Sequence, residues 1–372
     1  MYSFKWLLYS LIICLGFSFA LAHHPSPIHL LHNETSDSSQ TKEVRKGETR
    51  VSGQGEFRFR VLYTRSHLPE PAIAVLKSAH GGFAVDRRSG RGQTYFALPG
   101  AGIIEISGDL ASTTLLETDE NMQKLNMHNA TIWYDQSGTP FLSFPANNAA
   151  AIFTTTIQGK LVHTLAAPSS GEQFNQTVVT NYFLANGKFS PTDVEYLSGL
   201  FYITTGYSSL DYVLTAKVTN TAPFQVTWND LAFGGKGDKP GQFGTGHGIT
   251  ISSEKKQIDV ADRSKGEIDQ FTPYGHYETT WKLPIGSYPC DIDYSGDVAI
   301  AGCLHGPDRS KGAPIYLFEN RKMVSTVMIK EELALENFQH IHNAVLRKIG
   351  QRYYIIAQAW NPGDFAILEQ IP

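Results

Sequence analysis

Three histidines share one local pattern: His128-Asn129-Ala130, His247-Gly248-Ile249 and His342-Asn343-Ala344. In each, a histidine is followed by a small or polar residue and then by an apolar residue that opens a strand-like run. Neutral imidazole is a good ligand for Zn²⁺ or another divalent transition metal. Three of them leave a fourth position open for water or substrate. A metal so held lowers the pKa of a bound hydroxyl toward neutrality. A histidine at a strand start has a plainer use as well, bonding a backbone carbonyl. Recurrence at three equivalent places favours the metal.

The elements that carry these histidines repeat. From Pro240 to Tyr277 the chain reads as a meander. It comprises His247 to Ile251, Gln257 to Ala261 and Glu267 to Phe271, with alternating apolar residues and turn residues between. One small meander cannot bury both faces, so it needs neighbours of its own kind. Similar units begin at His80-Gly81, His128, Pro191-Thr192, Pro289-Cys290 and His342. Six units at a spacing of roughly 45 to 65 residues predict an all-β, six-bladed β-propeller, with five- or seven-bladed forms as the alternatives. The first strand of each blade lines the channel. The ring there reads Gly81 (with His80 one step earlier), His128, Thr192, His247, Cys290 and His342, so the three imidazoles alternate around it. Phe57 to Tyr63 alternates as a strand and is the candidate closure strand of the last blade. Glu331 to Phe338 is the best short helical candidate.

Composition fits this reading. Of 372 residues, 12% are aromatic, as suits many short strands, and the formal net charge of −4 gives no sign of a nucleic-acid surface. Residues 1–22 read as a signal peptide, with Lys5, an apolar core from Trp6 to Phe19, and Ala20-Leu21-Ala22 before the cut. The mature chain is expected to be secreted or periplasmic, free of the membrane after cleavage, and monomeric. Residues 23–56 read as a polar lead-in and 57–372 as the propeller. Cys290 and Cys303 remain after cleavage. Export permits a disulfide, and the hairpin register between them leaves it open.

The run PGQF…HGITI…IDVADR…GEIDQF resembles an NHL repeat, and within that group the chain resembles peptidyl-α-hydroxyglycine amidating lyase. The resemblance spans most of Leu76 to Glu369 and is dense in blades three and four. It implies a channel Zn²⁺ on His128, His247 and His342. Pro191-Thr192-Asp193-Val194 followed by Gly206-Tyr207 matches the third blade, which implies Tyr207 as catalytic base. Val260-Ala261-Asp262-Arg263 matches the fourth, which implies Arg263 as the residue binding a substrate carboxylate. The implied substrate is a small peptide ending in α-hydroxyglycine, or an α-hydroxy acid like it. Three departures stand beside this. The lyase's blade-one arginine is missing, with Arg87, Arg88 and Arg91 only in a nearby turn. Asn343 replaces an aspartate that binds a structural Ca²⁺, which makes any Ca²⁺ site here weaker. The paired cysteines of the third blade are absent.

The alternative is a non-catalytic propeller that binds a protein, peptide or glycan on one face, since propellers host many functions. The alternating histidines separate the two readings, because a binding module has no need of them.

Overall fold

The computed structural model describes residues 50–252 and 256–372. The expected signal peptide and most of the lead-in lie outside the described residues. Among the described residues, no helix is long and apolar enough to cross a membrane.

Six antiparallel sheets follow one another along the chain. Blade one is Ala84–Val85, Thr94–Leu98, Gly102–Ile106 and Thr113–Leu115. Blade two is Thr131–Tyr134, Pro140–Ala146, Ala151–Thr156 and Leu161–Ala166. Blade three is Asp193–Leu197, Leu200–Thr204 and the long pair Tyr212–Thr221 and Phe224–Gly234. Blade four is Gly246–Ile251, Ile258–Asp262, Glu267–Phe271 and Tyr277–Lys282. Blade five has a broken inner strand, Tyr288–Pro289 and Asp293–Ser295, then Val298–His305, Ile315–Glu319 and Lys322–Val327. Blade six is Ile341–Ile349, Arg352–Ala359 and Asp364–Ile371.

Phe57–Thr64 pairs with Asp364–Ile371, so the N-terminal strand closes the last blade as expected. Ser52–Gln54, placed in the polar lead-in by the sequence, is a further strand on the same edge. Its register is held by buried Ser52, which bonds Glu332 and the Met328 amide. The helical candidate shifts: Ile329–Leu333 is one short helix, and the chain leaves it through Ala334 in the left-handed region.

The core confirms the ring. Six apolar clusters each fill the space between two neighbouring blades, including one between six and one. Each blade therefore buries both faces, which a lone meander cannot do. Phe59 shows what closure contributes. It is fully buried in the cluster between blades five and six, and truncating such a phenylalanine costs about 3–5 kcal/mol.

Inner strands start at one mouth of the channel and run to the other. The first mouth therefore collects the connectors entering each blade and the loops between second and third strands.

Candidate metal and catalytic site

The ring positions sit at that first mouth. His128, His247 and His342 are buried, and each Nδ1 meets a carbonyl of the next blade. His128 reaches Thr192 at 2.6 Å, His247 reaches Cys290 at 2.7 Å, and His342 reaches Gly81 at 2.9 Å. A carbonyl only accepts, so each Nδ1 carries the proton and each Nε2 keeps a bare lone pair. An outer partner of this kind fixes the tautomer and aim of a metal-binding imidazole.

Two of the lone pairs converge, those of His128 and His342, and the Tyr207 hydroxyl stands between His128 and His247. Nε2 of His128 lies 3.2 Å from Nε2 of His342. The Tyr207 hydroxyl lies 3.2 Å from Nε2 of His128 and 2.9 Å from Nε2 of His247. Two nitrogens on a tetrahedral Zn²⁺ at 2.0–2.1 Å stand about 3.3 Å apart, so the His128–His342 spacing suits one ion. Burial pushes all three imidazoles well below the ordinary histidine range, and neighbouring cationic groups add to this. The imidazolium form is thereby disfavoured.

His80, one step before the ring, belongs to the cluster. Ligand atoms of His80, His128 and His342 all lie within 4.8 Å of one another. Its bonding differs, though. His80 Nδ1 accepts from Asn126 Nδ2 at 2.9 Å, and that amide also donates to Asn147. With Nδ1 accepting from Asn126, the His80 proton sits on Nε2. Burial, then Arg263, lowers its pKa to about 4.

Tyr207 and Arg263 come from the second-to-third-strand loops of blades three and four. Arg263 donates to the Tyr207 hydroxyl at 3.1 Å, with its guanidinium 5.2 Å from the ring centre. Burial raises the Tyr207 pKa and Arg263 pulls against it. Cys290 turns its thiol toward Arg263, yet burial still raises it to about 11. Cys290 and Cys303 are both buried free thiols.

One residue further down the channel lies an oxygen-rich layer. Asn343 donates to Asp291 at 2.6 Å and to Asn129 at 3.4 Å. Asp193 accepts from the Ile249 amide of blade four at 2.8 Å. Burial, then Asp291, holds the Asp193 pKa well above the usual carboxylate range. Burial raises Asp291 to about 8. The amide oxygen of Asn343 is buried without a partner. A Cβ at Gly82 would lie 1.7 Å from Asn129 Oδ1, so any larger residue there would displace the Asn129 side chain from this layer. Thr192 acts through its carbonyl, while its hydroxyl bonds Thr204.

The blade-one arginines go elsewhere. Arg87 grips both oxygens of Asp293 at 2.6 and 2.7 Å, and Arg88 pairs with Asp86 at 2.7 Å. With Glu195 they line a cavity of about 290 Å³ at the opposite mouth. The structure thus offers no blade-one arginine at the histidine mouth among the described residues. Asn126, Asn147 and Trp360 beside the cluster carry no signal in the sequence, since they lie in loops outside the repeat.

No protein-family model matches the chain, and no curated protein does. Solved structures with a similar fold include a gluconolactonase from Xanthomonas campestris. It is 12% identical with a TM-score of 0.51, covering 88% of this chain and 99% of that one. A virginiamycin B lyase from Staphylococcus aureus, solved with quinupristin, is 14% identical with a TM-score of 0.47, covering 78% and 95%. At these identities the likeness bears on fold alone, and the chain is a six-bladed β-propeller. The NHL and amidating-lyase resemblances rest on the residues quoted from the sequence.

Proposed function

We propose that the protein is a metal-dependent propeller enzyme that cleaves an α-hydroxyglycine-type substrate into an amide and glyoxylate. The observation that carries this reading is the orientation of the three ring imidazoles: a carbonyl of the next blade holds each Nδ1, which leaves each Nε2 lone pair available to a metal. His128, His247 and His342 would hold the ion through Nε2. A divalent cation bound there would supply the Lewis acidity that favours the alkoxide form of a substrate hydroxyl.

The chain's own residues do the rest. Arg263 binds the substrate carboxylate. It also lies against Tyr207, where its charge favours the phenolate over the phenol. Tyr207 takes the proton of the substrate hydroxyl. The O–H electrons become the second bond of the new carbonyl, the C–N bond breaks, and the nitrogen takes up the proton as the amide leaves. The missing blade-one arginine bears on which α-hydroxy acid is accepted. The oxygen layer of Asp193, Asp291 and Asn343 would suit a hard cation such as Ca²⁺. Glyoxylate release from hippuric-type α-hydroxyglycines, wild type against Tyr207→Phe, tests the reading. A protein that holds no metal would instead be a binding propeller, and one that binds metal yet releases no glyoxylate would act on a related α-hydroxy substrate.

A further inference from the structure

A strip of planar side chains leaves the histidine cluster and crosses blades six and five. His80 lies 5.6 Å from Trp360 between ring centres, and Trp360 lies 5.8 Å from His340. His340 meets His305 edge-on at 4.7 Å, and His305 lies 5.8 Å from Tyr288. Arg309 stacks over Tyr288 at 4.3 Å. None of the ring-bearing residues is part of the apolar core, and all are half-buried. Their placement is fixed from below: the Trp360 amide bonds the His340 carbonyl at 2.9 Å, and His340 Nδ1 meets the Leu304 carbonyl at 3.0 Å. Arg309 is exposed and has no carboxylate partner among the described residues.

Half-buried aromatic side chains held in place are what a stacking ligand needs. Trp360 touches the cluster through His80, so the group it receives is joined closely to the reacting carbon. At the cluster end of the strip, the Asn126 amide is engaged by His80 and Asn147. The far end is a guanidinium, which suits an aromatic face or an acidic side chain.

We infer that this strip is the specificity subsite for a peptide substrate. Trp360 receives an aromatic side chain on the residue before the terminal glycine unit, and the preceding residues run toward Arg309. The inference rests on the peptide-cleaving reading above and names the substrate class of that same site. An extended peptide advances about 3.3 Å per residue, so each ring-to-ring step matches one or two residues.

The test uses metal-loaded full-length mature protein and acetylated tripeptides ending in Tyr-Gly or Ala-Gly. Lacking the hydroxyl, these cannot be cleaved, so calorimetric affinity reads the strip alone. Glyoxylate release from their hydroxylated counterparts reads the reaction separately. The expected result is roughly tenfold tighter binding of the Tyr-Gly peptide. Trp360→Ala should remove the preference and Trp360→Phe should keep most of it, which separates lost stacking from a damaged fold. Equal affinities in the wild type, including no measurable binding of either peptide, would overturn the inference. So would a preference that survives Trp360→Ala. Tyr-Gly binding without any glyoxylate release would leave the strip standing and remove the lyase reading.

Discussion

Blades two, four and six place an imidazole at the start of the innermost strand, whereas blades one, three and five place Gly81, Thr192 and Cys290 there. Each even blade's Nδ1 bonds the carbonyl of the odd blade that follows. In the proposed metal site the even blades would supply ligands through side chains, and the odd blades would orient them through the backbone. The six-fold repeat would then work as three ligand-and-orienter pairs. Side-chain identity should matter greatly at even positions and little at odd ones, provided the odd carbonyl stays in place.

The largest break in that comparison is at an even position. His342→Ala should cut metal affinity by more than the roughly 10–100-fold typical of losing an outer partner, read by chelator competition. Next comes Tyr207→Phe. It should lower glyoxylate release by about 10²–10⁴-fold with metal content unchanged. Loss of metal in that variant would make Tyr207 a ligand instead.

A third effect is acid sensitivity of the metal-free protein. The folded pKa of His80, about 4, lies below the 6.5 of an unperturbed histidine. The unfolded chain therefore takes the proton first. Stability from this group is complete above about pH 6.5 and is lost as pH falls toward 4, by about 3 kcal/mol. Buried Asp269, raised to about 7 by burial, acts in the opposite direction, losing its contribution as pH rises. Urea unfolding of wild type against His80→Phe isolates the histidine slope, and parallel pH profiles would contradict it.

At an odd position, Gly81→Ala sharpens the comparison. Its Cβ would lie 2.7 Å from the Ala97 carbonyl oxygen, so the strand must shift and the Gly81 carbonyl with it. Metal affinity should fall about 10–100-fold. Thr192→Val should do least. It loses the hydroxyl bond to Thr204, worth about 1 kcal/mol of stability, but keeps the carbonyl and so the metal.

Much of this was legible in the sequence because it repeats. The inner and middle strands of all six blades, the closing strand at Phe57 and the three ring histidines each follow from a pattern of period two inside a longer period. The outermost strands were harder. Thr113–Leu115 and Lys322–Val327 are half exposed, so their side chains alternate weakly. The carbonyl partners were invisible, since any residue offers a carbonyl. His305 and His340 read as surface or loop residues because no repeat supports them. Their contact with each other and with Trp360 comes only from three loops meeting over blades five and six. His80 had a place beside the ring but no role. Its donor tautomer depends on Asn126, 46 residues away.

The central claim is that the ring histidines hold one metal ion while His80 only faces it. The most direct measurement is the metal content of mature protein purified without chelators, for wild type, His247→Ala and His80→Ala. The account predicts about one equivalent of Zn²⁺ or another transition metal in wild type and in His80→Ala, and loss of it in His247→Ala. A wild type that holds no metal and takes none up would contradict it, as would full metal content in His247→Ala with loss in His80→Ala.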